Sequence, residues 1–204
     1  AMATRCFWHN ALLVTRLAET PEIPEQEVLD FLASRRGLLD GVVLTGGEPL
    51  LQPDAADFLR KVRELGFAVK LDTNGCDPAR LAEILNQGLV DYVAMDVKNA
   101  PARYAETVGI PGFNPAPVEE SIRLLRKSTV DYEFRTTVVR ELHDGDSFRA
   151  IGPWLAGARR YYLQSFVDRD TVLRAGLHPW DRESLEAFAG LVRPWMERGQ
   201  LRGV

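Results

Sequence analysis

The sequence has little cysteine, no surplus of positive charge and no long apolar run. Its 204 residues include only two cysteines, so a framework of several disulfide bonds is excluded. The net charge of −4, without a basic segment, argues against nucleic acid binding. No apolar run approaches the roughly 20 residues of a membrane span, and no apolar signal-peptide segment follows Arg5. We therefore expect a cytoplasmic protein that binds neither nucleic acid nor a membrane.

What the chain does contain is a regular alternation of short apolar runs and amphipathic segments. Helices are predicted at 24–36, 54–65, 77–85, 118–127, 146–155 and 181–198. Five principal strands are predicted at 42–44, 67–71, 90–95, 132–139 and 160–166, with a last short strand considered at 201–204. This order predicts a single α/β domain over residues 1–204, in which right-handed crossovers join parallel strands.

Polar side chains recur where the predicted strands end. The carboxyl ends of parallel strands meet at one edge of a sheet, which is where ligands bind in such folds. The mixture of charges and amides predicts a polar, zwitterionic ligand that also carries hydroxyl groups. The strand-end residues are Thr45, Gly46, Gly47, Glu48, Asp72, Thr73, Asn74, Asp96, Lys98, Arg135, Thr136, Gln164 and Ser165.

Each of these positions also has a purely structural interpretation. Asp72 and Asn74 could make an Asx turn, and Asp96 and Lys98 could simply pair with each other. Arg135 is harder to explain in this way, because an unpaired buried guanidinium is costly.

Glu48 is a candidate partner for Arg135, or else a group that holds the ammonium of a ligand. Two histidines, His143 and His178, lie in polar loops, where we expect them to be solvated.

Four stretches, 36–49, 69–75, 90–98 and 131–139, together resemble the radical S-adenosylmethionine superfamily. Within that superfamily the sequence is similar to the activating proteins of anaerobic ribonucleoside-triphosphate reductase, a group of glycyl-radical-enzyme activases. The resemblance implies a partial (β/α) barrel of parallel strands. It also implies S-adenosylmethionine and a [4Fe-4S] cluster as cofactors. The partners would be a glycyl radical enzyme such as anaerobic ribonucleotide reductase and an electron donor such as flavodoxin or ferredoxin.

The resemblance also assigns roles to residues. Gly46, Gly47 and Glu48 match the motif that holds the amino group of S-adenosylmethionine. Positions that line the ribose and the carboxylate of the cofactor are matched by Asp72, Asn74, Asp96, Lys98 and Arg135.

The cluster motif departs from the family pattern of Cys-x3-Cys-x2-Cys followed by His-Asn. Cys6 corresponds to the middle cysteine and is the one metal ligand that we assign, while Cys76 does not fit the motif. We expect a chain that lacks the first strand and most of the cluster loop, is incomplete at its N-terminus and is inactive as it stands. Omitted residues, a truncated start and natural degeneration would each account for this departure. We favour omission or truncation, because His9-Asn10 and the four downstream stretches are kept.

Three other functions stay open at this point. The chain could be a non-catalytic module that binds S-adenosylmethionine or a nucleoside, or a radical enzyme that acts on a small molecule. A third interpretation is an aldolase-like barrel with a Schiff base at Lys98. Asp96 weakens this interpretation, because a neighbouring carboxylate keeps the lysine protonated.

Overall fold

The fold is a six-stranded parallel sheet whose strand order is the order of the chain. The computed structural model describes residues 22–168 and 174–203. The strands are β1 (Gly41–Leu44), β2 (Ala68–Thr73), β3 (Tyr92–Asp96), β4 (Asp131–Val138), β5 (Ala158–Ser165) and β6 (Met196–Arg202). The helices are α1 (Glu25–Ser34), α2 (Ala55–Glu64), α3 (Pro78–Asn86), α4 (Tyr104–Val108), α5 (Ala116–Lys127), α6 (Gly145–Trp154) and α7 (Arg182–Val192). Short 3-10 turns lie at Pro49–Leu51, Pro101–Arg103 and Arg193–Trp195.

Several helices begin where the sequence supplies a capping side chain. Asp77 precedes α3, and its carboxylate accepts a hydrogen bond from the backbone N–H of Arg80 at 3.0 Å. Asp144 and Ser147 form a capping box at the start of α6. These side chains satisfy N–H groups that have no partner inside the helix, and so they fix where each helix starts.

The two faces of the sheet differ in chemistry. One face packs against the helices and holds the core, with Leu71, Met95 and Phe134 fully buried. Because strand order follows chain order, right-handed crossovers place every helix on that same face, as in a half-open barrel. The alternate residues point away from the helices, and we call this side the inner face. Its members include Asp72, Asp96, Arg135, Tyr162, Gln164 and Arg202.

The end of the chain differs from the prediction. The closing helix expected at 181–198 ends at Val192, and β6 begins at Met196 rather than at 201. The physical reason is Pro194, which has no N–H to donate and disfavours helical geometry in the residue before it. The chain turns through Arg193–Trp195 and then pairs with β5.

The start of the sheet agrees with the predicted order as far as the structure describes it. Within residues 22–168 and 174–203, β1 pairs with β2 alone. The expected loss of a first strand concerns residues 1–21, which lie outside the described residues. No helix in the described part of the chain is long and apolar enough to cross a membrane.

Candidate functional site

A polar pocket opens at the carboxyl ends of β1 to β4. Its walls come from the turn after β1, from the ends of β2 and β3 with the residue that follows β2, and from the middle of β4. The lining residues are Thr45, Gly46, Gly47, Glu48, Asp72, Thr73, Asn74, Asp96 and Arg135. The sequence predicted this convergence, and the parallel register of the strands produces it.

Glu48 forms the wall between β1 and β2. Its Oε1 accepts hydrogen bonds from the hydroxyl of Thr73 at 2.7 Å and from the N–H of Leu50 at 3.2 Å. Its Oε2 accepts one hydrogen bond, from the N–H of Asn74 at 2.6 Å. An ionised carboxylate has about four acceptor positions, so Oε2 can still accept a bond from a ligand. Burial raises the pKa of Glu48, while these three hydrogen bonds oppose the rise.

Arg135 lies at the centre of the pocket between two carboxylates. Its Nε donates to Asp96 Oδ1 at 2.5 Å, and its Nη2 donates to Asp72 Oδ2 at 3.0 Å. The suggested pairing of Arg135 with Glu48 is therefore wrong. Asp96 lies directly beside Arg135 in the β3–β4 register, which puts the closer carboxylate on the neighbouring strand.

Asp72 keeps one oxygen without a hydrogen bond. Its Oδ1 is buried and lies 3.2 Å from Lys70 Nζ, yet the geometry of that contact does not make a hydrogen bond. Within residues 22–168 and 174–203, Asp72 Oδ1 is the one buried side-chain oxygen or nitrogen that makes no hydrogen bond. A buried acceptor that makes no hydrogen bond is costly, so it favours a ligand that brings an N–H or O–H group.

Asp96 joins the pocket to the buried Lys98. Lys98 Nζ donates to Asp96 Oδ2 at 2.8 Å, so the expected structural pair is present. Burial alone would raise the pKa of Asp96, but Lys98 and Arg135 together lower it to about 2. Asp96 therefore stays ionised at neutral pH. Lys98, which is 3% exposed, lies behind Asp96 rather than among the residues that line the pocket.

The turn after β2 depends on the side chain of Asn74 and on a glycine. Asn74 Oδ1 accepts from the N–H of Cys76 at 2.9 Å, so the Asx turn considered for Asn74 is present alongside its place in the pocket. Gly75 has a φ of 69°, and a Cβ there would lie 2.1 Å from Met95 Cε. The left-handed backbone thus favours glycine at this position, and a Cβ there would also displace the end of the Met95 side chain.

A buried histidine supports the segment that carries Lys98. His143 is 1% exposed, so the expectation that it is solvated is wrong. Its Nε2 lies 2.7 Å from the carbonyl oxygen of Lys98, which can only accept, so Nε2 carries the proton. Its Nδ1 then accepts from the N–H of Val139 at 3.1 Å. Because the residues around His143 in the sequence are polar, the sequence pattern indicates a solvated loop and not this tertiary contact.

Two lining residues, Thr45 and Thr73, were recognised as strand-end residues but not assigned to the cofactor. Thr73 bridges two parts of the site, because its hydroxyl donates to Glu48 and accepts from the N–H of Gly75 at 3.1 Å. In the sequence Thr73 lies between Asp72 and Asn74, which were both assigned to the cofactor, and this position was the signal that could have placed it in the site.

The sequence does not supply the full set of protein ligands that an iron–sulfur cluster needs. Within residues 22–168 and 174–203, no group of three or more His, Cys, Asp or Glu side chains could hold a metal ion. Cys6, the assigned ligand, lies outside the described residues. A [4Fe-4S] cluster of this type needs three protein thiolates, and the sequence has two cysteines in total. The residues present therefore do not fit the cluster.

Fold and site together define an α/β protein with a polar ligand pocket at the carboxyl edge of an open parallel barrel. Comparison with known families gives a match to the Radical SAM superfamily over residues 13–148. The chain belongs to the radical SAM superfamily.

Individual relatives have different activities. A relative from Methanocaldococcus jannaschii, named provisionally as a glycyl-radical enzyme activating enzyme, is 35% identical over 146 residues, covering 70% of this chain and 59% of the relative. Another from Thermococcus kodakarensis, named provisionally as a GTP 3′,8-cyclase, is 28% identical over 146 residues, covering 70% of this chain and 46% of the relative. This chain thus matches about half to three fifths of the length of these two relatives.

Among solved structures, a domain of a pyruvate-formate lyase-activating enzyme from Bacteroides vulgatus superposes with a TM-score of 0.63. The alignment covers 79% of this chain and 99% of that domain at 16% identity, so it supports the shared fold.

Proposed function

We propose that the pocket binds S-adenosylmethionine and that the protein is a radical SAM enzyme of the glycyl-radical-activating type. The observation that carries the proposal is the free acceptor capacity of Glu48 and Asp72 beside the Gly46-Gly47 turn. S-adenosylmethionine carries an ammonium group and two ribose hydroxyls, all of which donate hydrogen bonds. The proposal matches each acceptor to one of these donors.

The protein contributes binding and orientation in this proposal. Glu48 Oε2 would accept from the ammonium, and Asp72 Oδ1 would accept from a ligand N–H or O–H group. Arg135 fixes the orientation of Asp72 and Asp96, because it donates to both carboxylates. Asp96 remains charged near the cationic cofactor, which strengthens the attraction in a partly buried site. No reaction step is assigned to an iron–sulfur cluster, since its ligands are incomplete here.

The activating type is supported by the provisional name of the M. jannaschii relative and by the fold shared with a lyase-activating enzyme. The proposed partner is a glycyl radical enzyme such as anaerobic ribonucleotide reductase, with flavodoxin or ferredoxin as the reductant in the cytoplasm. The proposed single domain extends over residues 1–204.

The test is calorimetric titration of the chain with S-adenosylmethionine. Wild-type protein should bind, and Glu48→Gln should weaken binding more than about tenfold, because a hydrogen bond to a charged group contributes about 1.5–3 kcal/mol. Glu64→Gln replaces an exposed carboxylate at the end of α2 and should leave the affinity unchanged. Absence of binding by the wild type, or equal binding by Glu48→Gln, would refute the proposed pocket.

A second candidate is a non-catalytic module that binds S-adenosylmethionine, and the two cysteines of the sequence favour it. Anaerobic reconstitution with iron and sulfide of a chain in which the Cys-x3-Cys-x2-Cys motif is restored, followed by reduction with S-adenosylmethionine present, separates the two candidates. An enzyme forms 5′-deoxyadenosine, whereas a binding module retains the affinity and forms none.

A further inference from the structure

A line of alternating charges runs through the pocket from β2 to the segment that follows β3. Lys70 Nζ lies 3.2 Å from Asp72 Oδ1, and Arg135 Nη2 lies 3.0 Å from Asp72 Oδ2. Arg135 Nε then lies 2.5 Å from Asp96 Oδ1, and Lys98 Nζ lies 2.8 Å from Asp96 Oδ2. We call these five residues the charge line. It ends in a cation on each side.

Lys70 occupies the open end of the charge line. It precedes Asp72 by two residues on β2, so the two side chains lie on the same face of the sheet. The side chain of Lys70 is 32% exposed, whereas Lys98 at the other end is buried. The Nζ of Lys70 also lies 6.0 Å from the centre of the Tyr92 ring. Lys70 is therefore the member of the charge line that can be replaced without opening the buried ion pairs.

Lys70 acts on Asp72 as a charge and not as a hydrogen-bond donor. Although the two atoms are 3.2 Å apart, Asp72 Oδ1 makes no hydrogen bond. The oxygen thus remains open to an O–H or N–H group of a ligand, while a nearby ammonium offsets its negative charge. Without that ammonium, the same carboxylate would attract a cationic ligand more strongly.

The other cations of the inner face have different neighbours. Within residues 22–168 and 174–203, the cations at ion-pair distance from Asp72 are Lys70 and Arg135. Arg135 divides its charge between Asp72 and Asp96. The remaining inner-face arginines are Arg202, which is held by Glu133, Arg160, which lies 3.7 Å from Asp131, and Arg198, which is exposed on β6. The charge of Asp72 is therefore offset mainly by Lys70.

We propose that Lys70 is a specificity-determining residue of the pocket, which sets how strongly the site prefers a cationic nucleoside ligand over a neutral one of the same shape. This inference rests on the proposed function. It specifies how the site distinguishes S-adenosylmethionine, which carries a positive sulfonium, from S-adenosylhomocysteine, which has a neutral thioether instead. Lys70 does not act on the reacting atoms and has its effect through the charge of Asp72.

The test is calorimetric titration of the wild type and Lys70→Met with both ligands, and the readout is the ratio of the two dissociation constants. Lys70→Met keeps an unbranched side chain and removes its charge. Two unit charges about 8 Å apart change an affinity about twofold in water, and by more at the lower effective dielectric of a protein surface. The preference for S-adenosylmethionine should therefore increase about threefold or more in Lys70→Met.

Controls separate this effect from folding and from the net charge of the protein. Lys70→Arg keeps the charge and should retain the wild-type ratio, while Lys70→Gln is a second neutral variant and should behave like Lys70→Met. Lys127→Met removes an exposed ammonium at the end of α5 and should leave the ratio unchanged. Added salt should reduce the difference between the wild type and Lys70→Met, because Lys70 is partly exposed. A purely structural role would change the affinity for both ligands alike.

Equal ratios in the wild type and the two neutral variants would overturn the inference. An equal increase in Lys127→Met would also overturn it, because the effect would then belong to the net charge and not to Lys70. Either result, in a protein that binds both ligands, leaves the proposed function standing. A wild type that binds neither ligand would instead refute the proposed function, and this inference with it.

Discussion

His143 gives the sharpest test of the structure, because its burial links the stability of the fold to pH. Burial lowers the pKa of this imidazole from 6.5 to about 4, although the backbone carbonyl groups of Lys98 and Val139, which can both accept from the protonated ring, oppose the shift. The folded protein therefore keeps His143 neutral over a range of pH in which the unfolded chain takes up a proton.

The sign follows from this difference in proton uptake. The unfolded state binds more protons between pH 6.5 and about 4, so the free energy of unfolding falls as the pH falls through this window. Above pH 6.5 the imidazole is neutral in both states, so the free energy of unfolding has not yet been lowered by this effect. One pKa unit corresponds to about 1.4 kcal/mol, so a shift of this size gives a loss of up to about 3 kcal/mol.

Urea denaturation at a series of pH values measures the effect. His143→Gln removes the titrating group, so the variant, although less stable at neutral pH, should lose about 3 kcal/mol less than the wild type on acidification. His178→Gln is the matched control, because it removes an exposed imidazole and should retain most of the wild-type loss. An identical pH slope in the wild type and His143→Gln would refute the buried, neutral state of His143.

Two further predictions concern the pocket itself. Gly75→Ala should lower the free energy of unfolding by about 1–2 kcal/mol more than Gly88→Ala does. Both glycines have a positive φ, but only Gly75 faces Met95. Urea denaturation measures both losses, and equal losses would contradict the close contact. Arg135→Met leaves Asp72 and Asp96 without their shared cation, so it should destabilise the fold by about 3 kcal/mol. The same variant should raise the pKa of Asp96. NMR titration of the carboxylates measures this pKa and would show no rise if the pairing were incorrect.

The element order could be read from the sequence because each strand is an apolar run and each helix has one apolar stripe. The location of the site followed from the same pattern, since parallel strands bring their carboxyl ends together. The closing helix was placed incorrectly because the apolar residues on either side of Pro194 continue the helical pattern. The proline ends the helix through its missing N–H, which a pattern of hydrophobicity does not register.

Side-chain partners were harder to predict than positions. Arg135 needed a carboxylate, and the sequence offered Glu48, Asp72 and Asp96 without a basis for choosing among them. The choice depends on strand register, which places Asp96 beside Arg135 and leaves Glu48 bonded to the turn after β2. The burial of His143 depends in the same way on the fold, because its partner Lys98 lies 45 residues away in the chain.

The strand order has a consequence for how the protein can form during synthesis. Each strand pairs with the one made just before it, so every unit of strand and helix can join a sheet edge that already exists. The pocket, however, joins residues from four successive units and closes when Arg135 meets Asp72, 63 residues earlier. A growing chain that has not reached β4 could pair Asp72 with Lys70 and Asp96 with Lys98, but it would lack the guanidinium that joins the two carboxylates. The ability to bind a ligand at this edge would therefore arise in one step, when the fourth strand docks.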